Sequence, residues 1–191
     1  MAYRTAFLLD LLATFIGTSF AFTTLALIIE RFGGIGGWTI SEIALPYGTV
    51  EMAFGIMDMV FGGFDPGNFG QHVRRGTFDQ LLLRPINITV QVLGSEFTMR
   101  RSPRILQGLL VLGYGLLFSE IAWTPLKAVY LPVIILSMTL FFGGLFIIGA
   151  TITFWTVESI EIMNILTYGG TEMMSYPMSV YSDGLRRFFT Y

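Results

Sequence analysis

The sequence predicts an all-α integral membrane protein, a polytopic helix bundle with four spans and a fifth, imperfect one. Three observations carry this. Only 13% of the 191 residues are charged, while 53% are hydrophobic; an ordinary soluble domain carries about 25% charged residues. The mean hydropathy is +0.68. Residues 11–29 and 128–157 form runs of 19 and 30 residues without a formal charge, and roughly 20 apolar residues cross about 30 Å of hydrocarbon.

The first span is expected at 5–29. It is long for the apolar core of a signal peptide, carries Asp10 and lacks a small-residue cleavage site, so it reads as a retained helix. The second, 43–64, contains Glu51 and Asp58. The third, 105–123, is broken only by Glu120 near its end, and the fourth covers 130–155. One such run fits a buried helix of a soluble protein; four together do not. The tail opens with Glu158 and Glu161 and continues through Ile162, Ile165 and Leu166. Gly169-Gly170 and Glu172 interrupt it, and Pro177 ends it. Two arrangements stay open: a fifth helix returning over 159–176, or a helix lying at the interface. Arg186 and Arg187 weigh against the first, which puts them outside. Residues 1–191 thus read as one transmembrane domain with a long connection at 65–104.

Orientation follows from the cations. The long connection holds Arg74, Arg75, Arg84, Arg100, Arg101 and Arg104, whereas the other two hold Arg31 and Lys127. The basic connection is expected in the cytoplasm with Arg4, and the glycine-rich loop Gly33-Gly34-Ile35-Gly36-Gly37 outside.

Several chemistries are excluded. There is no cysteine, and His72 is the only histidine, so thiolate and multi-imidazole metal sites are out. A net charge of −2 gives no pull toward nucleic acid. The only lysine, Lys127, follows Pro125-Leu126, and no phosphate-binding glycine loop precedes it. No nucleophile has an adjacent base. The chain is therefore not expected to be an enzyme or to hold a cofactor of its own. Energy, if consumed, enters through a partner.

The connection carries its own pattern. Asp65-Pro66-Gly67-Asn68 is a turn. Thr77 is placed to cap a short helix over Phe78 to Arg84, which Pro85 stops. On it Phe78, Leu81 and Leu82 share one face, with Asp79 and Leu83 on other sides. A second, mildly amphipathic segment, 86–99, ends in Arg100-Arg101-Ser102-Pro103-Arg104. Anionic headgroups, worth about 1 kcal/mol per arginine, account for the charges. They do not account for a capped apolar helix between arginine and proline, which suits a hydrophobic groove on a cytoplasmic partner.

Within the spans, Glu51 and Asp58 are seven residues apart, a rotation of about 700° that leaves them facing nearly the same way. A carboxylate facing lipid costs roughly 2.5 kcal/mol or more. The pair is expected to line a route for cations or protons, or to be neutralised within the bundle. Trp38, Trp123 and Trp155 fall at span edges, as interfacial anchors do. Gly17 and Ala21 form a small-residue pair suited to close helix contact.

The string Gly76-Thr77-Phe78-Asp79-Gln80-Leu81-Leu82-Leu83-Arg84-Pro85 resembles the Gly-x-x-Asp-x-Leu-Leu-x-Arg-Pro motif of type-2 ATP-binding-cassette (ABC) exporter permeases. It is most similar to the viologen-exporter-like branch. Phe154-Trp155-Thr156-Val157-Glu158-Ser159, Asn164, Tyr176-Pro177 and Leu185-Arg186 add to the likeness, which extends over essentially the whole chain. The resemblance implies a permease subunit in a bacterial cytoplasmic membrane, paired with a second copy or a related subunit. It implies two cytoplasmic ABC ATPase subunits that hold the ATP and magnesium. It also implies export of an amphipathic or hydrophobic compound. Gly76, Phe78, Asp79, Leu81, Leu82, Arg84 and Pro85 would then form the coupling element. Relative to that pattern, an interfacial helix before the first span and a sixth span are expected but not seen. Two other functions stay open: a proton-coupled secondary transporter using Glu51 and Asp58, and a non-transporting scaffold subunit.

Single cysteines introduced at Ile35 and at Arg75 are expected to react with an impermeant thiol reagent from opposite sides of intact cells. Labelling from one side only contradicts the orientation.

Overall fold

The computed structural model describes residues 2–32, 37–97, 101–156 and 161–190. They form an all-helical bundle, with no strand among the described residues. The chain runs through α1 (Ala2–Phe32), α2 (Ile40–Phe61), α3 (Pro66–Arg74), α4 (Thr77–Leu82), α5 (Ile88–Ser95), α6 (Ser102–Phe118) and α7 (Pro125–Thr156). It ends in α8 (Glu161–Asn164), α9 (Gly170–Met174) and α10 (Asp183–Thr190). A π-helical stretch, Ile165–Gly169, joins α8 to α9. α1, α7 and the stretch of α2 continued through α3 are long and apolar enough to cross a membrane, and α6 is shorter.

α2 is the central element. Its start is set by a capping box: the Thr39 side chain accepts from the Glu42 amide, and the Thr39 amide donates to Glu42 Oε2 at 2.8 Å. From there it is enclosed on several sides, with Ile43, Ala44, Val50, Ala53, Phe54 and Met57 almost fully buried. Its closest neighbour is α6. A Cβ added at Gly48 meets the Leu112 backbone nitrogen at 2.4 Å, and one added at Gly108 meets the Met52 backbone nitrogen at 2.5 Å. Gly55 and Gly115 are nearly as tight, against Ile105 and Leu45. Each helix thus turns two glycines, seven residues apart, toward the other, and only hydrogen at these positions lets the backbones approach so far. α7 closes the next side. There the Thr139 hydroxyl lies 3.1 Å from the Ala53 carbonyl and 2.8 Å from the Ile135 carbonyl, and Phe142 and Phe146 pack beside Phe54.

α1 joins the bundle through its second half, where Leu25 and Ile29 cluster with Ile43, Ala44, Tyr47 and Val111. Between its first half and the start of α6 lies an apolar cleft of about 590 Å³ lined by Leu8, Leu12, Phe15, Pro103 and Leu106. Leu9, Ile16, Phe20 and Leu27 are exposed along the same helix, a surface suited to hydrocarbon. Within this chain no helix comes close to Gly17, where a Cβ meets nothing within 4 Å.

α6 starts three residues before the expected third span and stops at Phe118. Residues 119–124 carry no helix, so Glu120 and Trp123 lie beyond its end. α7 then opens on Pro125, the favoured first helical position for a residue without an amide hydrogen. The tail is helical and lies lengthwise on α2, running antiparallel to it. Tyr168 rests 5.3 Å from the Phe54 ring, Tyr176 packs near Ile40, and Trp38 Nε1 donates to Ser179 Oγ at 2.9 Å. Trp38 is therefore held by the tail as well as by its place before α2. Glu158, and with it residues 157–160, lies outside the described residues.

Gly108→Val is expected to cost about 1–3 kcal/mol through overpacking at this seam. Gly113→Val on the same helix, where a Cβ meets nothing within 4 Å, is the control. Thermal unfolding in detergent compares them; equal midpoints would deny that the seam is tight.

Candidate functional site

The connection between α2 and α6 folds into three short helices mounted on one end of the bundle. A 3-10 turn, Gly62–Phe64, leads into α3. Asp65 caps that helix: its Oδ1 accepts from the amides of Gly67 (2.9 Å) and Asn68 (3.1 Å), with Pro66 at the first helical position. α3 lies along the last turns of α7, where Gly149 leaves room for the Pro66 ring and Gly70 lies beside Thr153.

Between α3 and α4 the chain reverses at Gly76, which has φ +68°. That left-handed conformation is costly for any residue with a Cβ, so the first glycine of the motif has a backbone reason. Gly76, not Thr77, is the cap. Thr77 is the first helical residue, and its hydroxyl turns back to the His72 carbonyl (3.2 Å) and His72 Nδ1 (2.9 Å). α4 is accordingly Thr77–Leu82 rather than Phe78–Arg84. It is shortened because the chain turns before Pro85, with the Arg84 amide bonding to the Leu81 carbonyl and the Ile86 amide to the Arg84 carbonyl.

The face expected to hold Phe78, Leu81 and Leu82 together is divided. Phe78 points inward, its ring 5.5 Å from Phe69 of α3 and 4.9 Å from Phe154 of α7, both edge-on. Leu81 packs on the same core. Leu82 points outward with Leu83, which is 85% exposed, and with Ile86. Asp79, Arg84 and Pro85 are exposed beside them. The result is a knob with an apolar root and a tip of two leucines, an isoleucine and an arginine. One side chain not singled out in the sequence holds the shape: Gln91 Nε2 donates to the carbonyls of Leu81 (3.1 Å) and Ile86 (2.7 Å), closing the turn around Pro85.

Glu51 and Asp58 both face α6, and each meets an arginine there. Glu51 receives Arg104 with Nε–Oε2 2.6 Å and Nη2–Oε1 3.0 Å, a bidentate pair, and the Arg104 guanidinium lies 4.3 Å above the Phe54 ring. Asp58 pairs with Arg101 at 3.0 Å, and Arg101 also bonds to the Asp58 carbonyl. Gly62 makes room for Arg101, because a Cβ there would sit on the guanidinium. The sequence puts Arg101 and Arg104 in the cytoplasmic connection; the structure places them at the start of α6 as counter-ions inside the bundle. The signal that could have paired them is their place immediately before the expected third span, opposite two acids of the second.

The pieces are connected. Asp65 Oδ2 accepts from the Tyr168 hydroxyl at 3.2 Å, so the cap of α3 also touches the tail. The knob is thus rooted in α3 and α7. No set of residues suited to a metal ion occurs among the described residues. The family model described as "ABC-2 family transporter protein" matches residues 15–191. This chain belongs to the ABC-2 transporter family. Neither the curated proteins nor the solved structures give a match. As an ABC-2 family member the chain is the transmembrane permease subunit of an ABC transporter, a membrane protein that is not itself catalytic and whose family associates with ABC ATPase subunits.

Truncating one partner of the Glu51–Arg104 pair leaves the other buried and uncompensated. Arg104→Met is expected to destabilise the subunit by about 3 kcal/mol or more, and Glu51→Leu/Arg104→Met by less, because removing both charges abolishes the desolvation problem. Unfolding of the three proteins in detergent checks the order.

Proposed function

We propose that this subunit works in an ATP-driven exporter of the viologen-exporter-like branch, in a bacterial cytoplasmic membrane, as one half of a permease pair. In this reading residues 76–85 form the coupling element. ATP and magnesium bind on the partner ATPase subunits, whose closure pushes the knob, and the permease switches access from inside to outside. The observation that carries the reading is the division of α4. Phe78 and Leu81 fasten it to α3 and α7, while Leu82, Leu83, Arg84 and Ile86 stand outward. An apolar tip held away from its own bundle suits a groove on another protein. Asp79 beside it supplies a second polar contact.

The cargo in this reading is amphipathic or hydrophobic. Glu51 and Asp58 line its route only when α2 and α6 separate, because Arg104 and Arg101 neutralise them in the closed seam. The same pairing gives no support to a proton-driven carrier, since each acid already has its counter-charge.

Leu83→Asp and Arg84→Glu are expected to weaken ATPase retention by more than about tenfold, the scale of a hot-spot truncation, without lowering the unfolding midpoint. Phe78→Ala should lower the midpoint as well. Pull-down of the ATPase by purified permease, with transport into vesicles, tests this. Unchanged retention and transport in both tip variants would sink the assignment.

A further inference from the structure

Beside the knob lies a polar cavity of about 220 Å³ that neither the tip nor the ion-paired seam uses. It is lined by Asn68, Gln71, His72 and Arg75 at and just past α3, by Thr77 of α4, and by Glu96 at the end of α5. The 2.9 Å contact between His72 Nδ1 and Thr77 Oγ1 closes one wall internally. The other walls offer open chemistry. Among the described residues, the side chains of Asn68, Gln71, Arg75 and Glu96 have no hydrogen-bond or ion-pair partner. A cation, a carboxylate and two amides thus border one space without neutralising each other.

The cavity's depth is set by its neighbours. α3 follows the last turns of α7, with Gly70 against Thr153, and Trp155 stands 77% exposed at the α7 end. Tryptophan so placed marks the border of hydrocarbon and headgroups. Arg75 lies five residues beyond Gly70, about 7 Å further along the helix. A residue that far past an interfacial tryptophan is expected among the headgroups.

We propose that this cavity is a headgroup site for a phospholipid carrying a primary amine. Arg75 takes the phosphate, Glu96 accepts from the ammonium, and Asn68 and Gln71 supply neutral hydrogen bonds to the phosphate and ester oxygens. A lipid with only negative charge meets Glu96 unfavourably. A choline headgroup has no N–H to give Glu96, and a free phosphate leaves it unmatched. The site is separate from ATPase docking and does not rest on it.

The test offers the purified full chain, in detergent micelles, equal amounts of phosphatidylethanolamine, phosphatidylcholine and phosphatidylglycerol with identical acyl chains, and reads retention by native mass spectrometry. Phosphatidylethanolamine should be retained about tenfold over phosphatidylcholine, the scale of one charge-assisted hydrogen bond. Glu96→Gln should bring that preference close to one, and Arg75→Gln should lower retention of all three lipids. Arg74→Gln, whose side chain does not line the cavity, should leave the preference intact. Should Glu96→Gln not fold, the N-methylated ethanolamine series on the unmodified chain serves instead, with retention falling at each methyl. Inorganic phosphate or phosphoethanolamine displacing the lipid at equal concentration would assign the site to a soluble ligand and overturn the proposal. Equal retention of the three lipids, preference for phosphatidylglycerol, or a flat methylation series would also overturn it. No ATPase is present, so such a failure leaves the coupling reading untouched.

Discussion

The seam between α2 and α6 is the constraint on which the rest depends. Four glycines bring two backbones closer than any side chain allows, and two arginine–carboxylate pairs sit at one end of that contact. The two features need each other. Glycine contacts supply dispersion and closeness, but a smooth glycine face leaves sliding along the axis weakly opposed. The ion pairs oppose it, because a one-turn slip of about 5.4 Å would strand four charges in an apolar surrounding. Buried pairs seldom add net stability; here their effect is to select one register. Gly62 belongs to the same device, since it makes the space that Arg101 occupies.

From that seam the other contacts follow. α7 can lie against α2 only on the side α6 leaves free, and Thr139 bonding to the Ala53 carbonyl marks where it does. The tail takes a further face, with Tyr168 beside Phe54 and Asp65. α1 buries Leu25 and Ile29 of its second half against α2 and α6 and leaves most of its length exposed. An element so lightly attached is the one whose position changes at least cost, whereas α2 cannot shift without disturbing every neighbour.

Much of this was legible in the sequence because its causes are local or periodic. Runs of uncharged residues give the long helices, but α3 begins at Pro66, where only a turn is expected, and α7 begins at Pro125, five residues before the expected fourth span. Gly76 and Pro85 bracket the knob, although the cap fell one residue earlier than expected because the left-handed turn belongs to glycine and Thr77 finds a partner in His72. What was not legible depends on which helices meet. The Gly17–Ala21 pattern and the heptad-spaced glycines of α2 and α6 look alike in a string of letters; only the assembled bundle shows that, within this chain, Gly17 has no close neighbour while the glycines of α2 and α6 meet a backbone or a packed side chain. The same holds for Leu82. Helical periodicity puts it with Phe78 and Leu81, but a helix of one and a half turns has no stripe long enough to bind that choice, and the core had room for two of the three. Gln91 had no local signal at all, since its partners lie five and ten residues away across a turn.

The division of α4 bears on how a push on such a knob would travel. A short helix tethered only by its chain ends would swing at Gly76 and at the turn before Pro85, and displacement would be lost there. One side chain opposes each swing. Thr77 ties the first residue of α4 back to the end of α3, and Gln91 binds the carbonyls on both sides of the Pro85 turn. With both ends held, motion of the tip passes through the Phe78 ring into Phe154 and Phe69, and so into α7 and α3 together. α3 is joined at Asp65 to Tyr168, whose ring touches Phe54 one turn from the Glu51–Arg104 pair. A push on the knob would therefore reach the register-setting seam through aromatic rings in contact, because close-packed interiors deform little.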